Sequence, residues 1–324
     1  MHNPPMNDFT VLLLPGSFAS SVALTLDMLS SAALLAPRLG LGAPRWRVCA
    51  LQAGQVALGQ GLLLEVEALD ARDDDRSCWI VPGLGIDTPE AIAQRLLQAD
   101  IAPLLDALRD HLELGGEVAA SCSAVFLLQA AGLLPGRRVT TSWWLAPLLQ
   151  EWAVDTKVDP DQMVVVDPPL TTAGAAFGQS DLMLHLLRSR FGTSLADAVG
   201  QTLLIDRRQL QAPFRVPAMM AQGSTLISRL TAHIEAGLPN LPSVGELAAQ
   251  FSMSERTLGR QIRKVTGHSS LRLIQNVQLN RARALLQSSK YSVERVAEQV
   301  GYQDATALRR LMRKLLNATP RQLR

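Results

Sequence analysis

The end of this chain carries one pattern twice, and the repetition limits the folds open to it. In SVGELAAQFSMSERTLGRQIRKVTG, residues 243–267, Ser243 and Glu246 stand in capping-box spacing ahead of apolar Leu247, Ala248 and Phe251. That predicts a short capped helix. After SMS a second helix is expected, with Leu258 and Ile262 on one face and Arg256, Arg260 and Arg263 on the other. Residues 292–324, SVERVAEQVGYQDATALRRLMRKLLNATPRQLR, repeat the design. Val293, Val296 and Ala297 point inward, GYQD makes the turn, and a second helix starts at Asp304. Its Leu308, Met312 and Leu315 pack, leaving Thr306, Arg309, Arg310 and Arg313 outside. A helix pair with a short turn and a basic outer face on its second helix can place that helix in a DNA major groove.

Charge agrees with this reading. The formal net charge of +2 hides an asymmetry: from residue 241 onward there are 15 Lys and Arg against 5 Asp and Glu, and before it 16 against 24. A small basic module on a larger acidic one suits a nucleic-acid reader joined to something else.

The 324 residues, 48% hydrophobic and 19% charged, suffice for two domains with buried cores. The first two hundred residues alternate short apolar runs with helix-patterned segments, which predicts a mostly parallel, doubly wound α/β sheet with helices on both faces. Expected strands are Thr10–Leu14, Trp46–Leu51, Cys78–Val81, Glu117–Ala120 and Met163–Val166. Expected helices are Ser20–Leu35, Pro89–Leu114 (with Thr88 as N-cap), Ala124–Ala131 and Ser180–Arg190. The stretch 211–224, QAPFRVPAMMAQGS, has two prolines and a glycine and is the expected linker.

Several function classes are set aside. Apolar runs such as Val125 to Leu134 are interrupted well short of the ~18 positions a membrane span needs. MHNPPMNDF has no secretory pattern, so a cytoplasmic location is expected. Cys49, Cys78 and Cys122 lie far apart with no CxxC pair, and the five histidines are scattered, so neither a disulfide framework nor a metal site is expected. Gly83 and Gly85 form only a fragment of a dinucleotide fingerprint, because Thr88 replaces its third glycine. No cofactor is expected.

With those residues in view, 225–324 resembles the DNA-binding domain of the AraC/XylS family of transcription regulators. The likeness rests on LAAQFSMSERTLGRQIRKVTG, on LNRARALL, and on VAEQVGYQDATALRRLMRKLLNATPRQLR with its closing Pro320 to Arg324 spacing. The family usually has aromatic residues where this chain has Ile262, Leu308 and Met312, and glycine where it has Asn317. The resemblance implies that Arg256, Arg260, Thr306 and Arg310 read base edges, while Arg263, Arg309 and Arg313 meet phosphates.

The stretch GGEVAASCSAVFLLQAAGLLPGRRVTTSWW, preceded by SCWIVPGLG, resembles the PfpI-type branch of class I glutamine amidotransferase-like domains. The resemblance implies domains at 8–210, for sensing and dimerisation, and 225–324, for DNA binding. It places Cys122 on a strand-to-helix elbow where catalytic members hold a thiolate nucleophile. Here the family's histidine is Ser142, its acidic partner is Ser21, and the glycine beside the elbow is Ala124. Serine cannot act as a base near neutral pH. Cys122 is therefore expected to be a remnant nucleophile.

The crevice at the carboxyl ends of the strands is the expected ligand site, lined by Phe18, Ser20, Ser21, Gly83, Cys122, Ser123, Ser142 and Trp143. Its aromatic residues suit an amine or amino-acid-like effector. The combined expectation is a homodimeric DNA-binding regulator that answers to a small molecule and performs no catalysis. The alternatives are a cysteine-dependent hydrolase or hydratase carrying a DNA-binding tail, and an architectural DNA binder without a ligand.

Overall fold

Four-residue strands buried at every position organise the first part of the protein. Phe9–Leu12 (β1) and Cys78–Val81 (β5) are inaccessible along their whole length, as parallel strands covered on both faces must be. The structure, a computed structural model, describes residues 7–70, 75–205, 210–211, 225–316 and 318–323. The chain forms two compact units, Met1–Gln209 and Leu210–Arg324.

In the first unit β1 and β5 join Trp46–Ala50 (β2), Gly54–Ala57 (β3), Leu63–Ala68 (β4), Glu117–Ser121 (β6), Val164–Asp167 (β9) and Leu170–Ala173 (β10). The sheet order is β3-β4-β2-β1-β5-β6-β10-β9. Its six inner strands are parallel, and β3 and β9 close the edges antiparallel. Arg138–Val139 (β7) and Lys157–Val158 (β8) form a separate parallel pair. The strand order reverses at β1, so the carboxyl ends of β1 and β5 frame a switch-point crevice.

Side chains alternate between two cores. Phe9, Val11, Leu13 and Ile80 face Ala19–Leu35 (α1), Gly178–Phe191 (α6) and Thr193–Thr202 (α7). Leu12, Leu14, Trp79 and Val81 face Pro89–Leu96 (α2), Ile101–Glu113 (α3), Val125–Ala130 (α4) and Ala146–Trp152 (α5). Helix α1, with the turn that continues it to Leu39, is long and apolar enough to cross a membrane by length and composition. Here its Val22, Met28, Leu29 and Ala32 are core residues.

Thr88 caps α2 as expected, accepting from the Ala91 amide at 3.2 Å. The single helix expected over Pro89–Leu114 is instead two, α2 and α3. Pro103 gives the reason: it lacks an amide hydrogen and fits a helix only near its start, and here it lies in the first turn of α3. Strands β3, β4 and β10, and the short pair β7 and β8, lie outside the expected set. The first two form an edge hairpin with mixed exposure, and β10 is a four-residue run with two threonines.

The second unit is helical: Thr225–Ala236 (α8), Val244–Gln250 (α9), Glu255–Thr266 (α10), Ser270–Ser288 (α11), Val293–Gln299 (α12) and Ala305–Leu316 (α13). Each start expected from the sequence is capped. Ser243 and Glu246 make the reciprocal capping box, Ser292 accepts from the Arg295 amide at 3.2 Å, and Asp304 from the Ala307 amide at 2.9 Å. The long α11 packs against α8, α10 and α12. Ile262, Leu308 and Met312 are fully buried in place of the family's rings, and Val293 is half-buried at the edge of its cluster. Phe251 is also only partly buried, meeting the His233 ring at 5.9 Å. Asn317 and residues 212–224 of the expected linker lie outside the described residues.

Candidate nucleic-acid interface and elbow site

Helix α10 presents the two faces its sequence predicts. Leu258 and Ile262 are fully buried, whereas Arg256, Arg260 and Arg263 are exposed and make no ion pair among the described residues. Lys264, absent from the sequence reading, joins them. An open groove of about 770 Å³ is lined by Glu255, Arg256, Gly259, Arg260, Arg263 and Lys264 of α10, four cations against one carboxylate, and by Ser269, Ser270 and Leu271. Ser269 caps α11 by accepting from the Arg272 amide at 3.3 Å, so the positive end of α11 adds to the cationic wall. The cap was legible as the serine pair in GHSSLRL.

Helix α13 repeats the arrangement with one difference. Thr306, Arg310 and Arg313 are exposed over buried Leu308 and Met312. Arg309, expected at a phosphate, instead donates to Glu294 Oε1 at 2.7 Å. That glutamate's pKa is lowered, first by a backbone hydrogen bond at its own amide and then by Arg309. Both side chains are substantially exposed, so the pair is weak.

At the elbow Cys122 has φ of +54°, a left-handed conformation that is strained for a residue with a side chain. Several contacts hold it there. Thr141 Oγ1 donates to the Cys122 carbonyl at 2.6 Å, and the Leu84 amide donates to Ser123 Oγ at 3.0 Å. Gly83 lies so close that a Cβ there would sit 2.8 Å from that of Cys122. The Phe18 amide donates to the Gly83 carbonyl at 2.7 Å, fixing the first loop to the segment that follows β5.

The chemistry of the thiol follows from its neighbours. Cys122 Sγ lies 3.0 Å from Ser142 Oγ. Burial pushes the thiol pKa up, against smaller opposing contributions from Ser142 and Ser123, and Asp87 raises it further. The thiol therefore stays protonated at neutral pH. Ser21, at the acidic partner's position, donates instead to the Ala176 carbonyl at 2.9 Å. Trp143 packs edge-on against Trp144 with centroids 5.3 Å apart.

Gly83, Cys122, Ser123 and Ser142 are thus brought into contact, with Phe18 tied on through backbone. The elbow is narrow: Ser21, Ser123 and Ser142 are fully buried, Cys122 is 7% exposed and Trp143 6%. Ser20 is partly buried, and its hydroxyl is enclosed with no hydrogen-bond partner among the described residues. Thr141, Leu84 and Ala176 were missed from sequence because they act on residues 19, 39 and 155 positions away.

Two family matches divide the chain the same way. Residues 36–189 match the DJ-1/PfpI family, and residues 247–324 match a helix-turn-helix domain. The HTH-type transcriptional regulator CdhR of Pseudomonas aeruginosa is 27% identical over 326 residues, covering 97% of this chain and 90% of the relative. The HTH-type transcriptional regulator GlxA of Rhizobium meliloti is 28% identical over 300 residues, covering 90% and 89%. Among solved structures, an AraC family transcriptional regulator from Pseudomonas putida is 24% identical with a TM-score of 0.51. It matches over 61% of this chain and 100% of its own, and it shares the fold.

Proposed function

We propose that this chain, a DNA-binding transcription regulator in which an AraC-type helix-turn-helix domain follows a DJ-1/PfpI-type domain, reads DNA with two helices and senses a small molecule without catalysis. Arg256 and Arg260 on α10, with Thr306 and Arg310 on α13, contact base edges. Arg263 and Arg313 contact phosphates, and Arg309 joins them when it leaves Glu294. Two reading helices in one unit can enter successive major-groove faces about 34 Å apart. Residues 8–210 form the sensor and dimerisation domain and 225–324 the reader, joined by the linker 211–224. The regulator acts in the cytoplasm as a homodimer.

One observation carries the non-catalytic reading. The group 3.0 Å from the thiol is the Ser142 hydroxyl, which cannot take a proton near neutral pH, while burial keeps the thiol protonated. The elbow then recognises rather than reacts. Its effector is a small amine or amino-acid-like metabolite, and binding shifts the population of DNA-competent arrangements through different affinity for each.

A titration of operator affinity against a panel of such metabolites tests this, run on the parent, Cys122→Ala and Trp143→Ala. Cys122→Ala should keep the response, and Trp143→Ala should lose it with operator affinity unchanged. Loss of the response in Cys122→Ala alone would mean that the thiol does chemistry. The narrowness of the elbow favours a second reading, in which the α/β unit takes no ligand. No metabolite would then shift operator affinity or melting temperature.

A further inference from the structure

The turn between α12 and α13 is held by a side chain from the middle of α11. Gln278 is 6% exposed. Its Nε2 donates to the carbonyl of Val300, the residue that ends α12, at 2.8 Å. Its Oε1 accepts from the Tyr302 hydroxyl at 3.0 Å. Between these two partners lies Gly301, at φ of +85°, where a Cβ would meet the Pro239 carbonyl oxygen at 2.5 Å. Burial pushes the Tyr302 phenol up to about 12, so it remains a donor.

The turn of the first unit is held differently. Its backbone hydrogen bonds are local, as in Met253 amide to Ala248 carbonyl at 2.9 Å, and its Phe251 meets two side chains of α8, the His233 ring at 5.9 Å and the Arg229 guanidinium at 5.3 Å. The apolar cluster of Leu279, Ala282, Val296 and Leu308 holds α12 and α13 against α11. Apolar packing is non-directional, whereas two hydrogen bonds to one amide fix angle and register. Helix α13 begins four residues beyond Gly301, so a rotation at this turn would swing Thr306 and Arg310 together.

We propose that Gln278 is a positioning residue that fixes α13 relative to α10 and thereby selects the number of base pairs between the two boxes of the operator. Successive base pairs are about 3.4 Å apart along the helix axis, so a displacement of a few ångströms moves the second reading helix onto the wrong pair. The proposal rests on the reading that α13 contacts bases.

The test uses the full-length protein and a duplex it selects from a random-sequence pool, with one base pair inserted or deleted between the two boxes. The parent should lose about 100-fold in affinity on insertion, because the contacts of the second box are misplaced together. Gln278→Leu should lose about tenfold or less, with random-duplex binding unchanged, and Tyr302→Phe should fall between them. A merely structural role would lower the melting temperature and leave the spacing penalty intact. Folded Gln278→Leu that keeps the parent's penalty overturns the proposal. If that variant does not fold, Tyr302→Phe with the full penalty does so. Arg310→Ala separates the two readings. If it loses discrimination while Gln278→Leu keeps the penalty, only the proposal falls. If Arg310→Ala has no effect and the parent tolerates insertion, α13 does not read bases and both fall.

Discussion

The two helix-turn-helix units share a set of faces and differ in how those faces are braced. Leu258, Arg260, Ile262 and Arg263 in α10 correspond to Leu308, Arg310, Met312 and Arg313 in α13, fifty positions on. In the helices before them, Leu247 and Ala248 correspond to Val296 and Ala297, forty-nine positions on. The second turn is therefore one residue longer. The first turn tolerates Ser252 at φ of +56°, but the second requires Gly301, crowded by Pro239. Where the first unit has Gly245 and Gly259, the second has Glu294 and Arg309, joined as an ion pair. The repeat thus keeps an exposed basic face on its second helix and varies the contacts that hold that helix. A free cationic groove marks the first unit, and a polar brace marks the second.

The largest expected effect strikes the second turn. Gly301→Ala should destabilise the helical unit by about 3 kcal/mol, since it adds a left-handed strain to a backbone clash. Chemical denaturation followed by far-ultraviolet circular dichroism measures it, and a loss below ~1 kcal/mol would show that this turn is no more constrained than the first. Next come the reading arginines. Arg256→Ala and Arg310→Ala should each remove about 1–3 kcal/mol of discrimination between operator and random duplex. Arg263→Ala and Arg313→Ala should weaken both duplexes alike and reduce the salt slope by about one. Unequal losses for Arg256 and Arg310 in competitive binding assays would sharpen the contrast between the units.

Smaller effects probe the difference from the other side. Ser252→Gly should stabilise the protein by up to about 1 kcal/mol, because glycine adopts the left-handed conformation without strain but has more chain entropy to lose. Destabilisation on the same denaturation assay would mean that the Ser252 side chain has a role beyond the turn. The least effect is expected of Glu294→Gln, which should leave stability almost unchanged because the pair is exposed. It should nevertheless tighten random-duplex binding slightly by releasing Arg309 to phosphate, and a weaker duplex affinity would show that the brace matters more than the freed charge.

The sequence alone determined the parts of this protein that depend on neighbours within about four residues. Ser243, Ser292, Asp304 and Thr88 announce helix starts because a cap bonds an amide two or three positions away. The cationic faces of α10 and α13 follow from the helical period, and the buried β1 and β5 from short unbroken apolar runs. The elbow at Cys122 and its departures at Ser142 and Ser21 were legible through family resemblance. The tertiary structure decided what distant segments do to one another. It set Ser142 beside the thiol, turned Ser21 to Ala176, tied Arg309 to Glu294 and locked the second turn to Gln278. It also narrowed the elbow around the residues expected to line it. Such contacts join positions 15 to 155 apart. Their geometry comes from how whole helices and sheets pack, which no local pattern of side chains encodes.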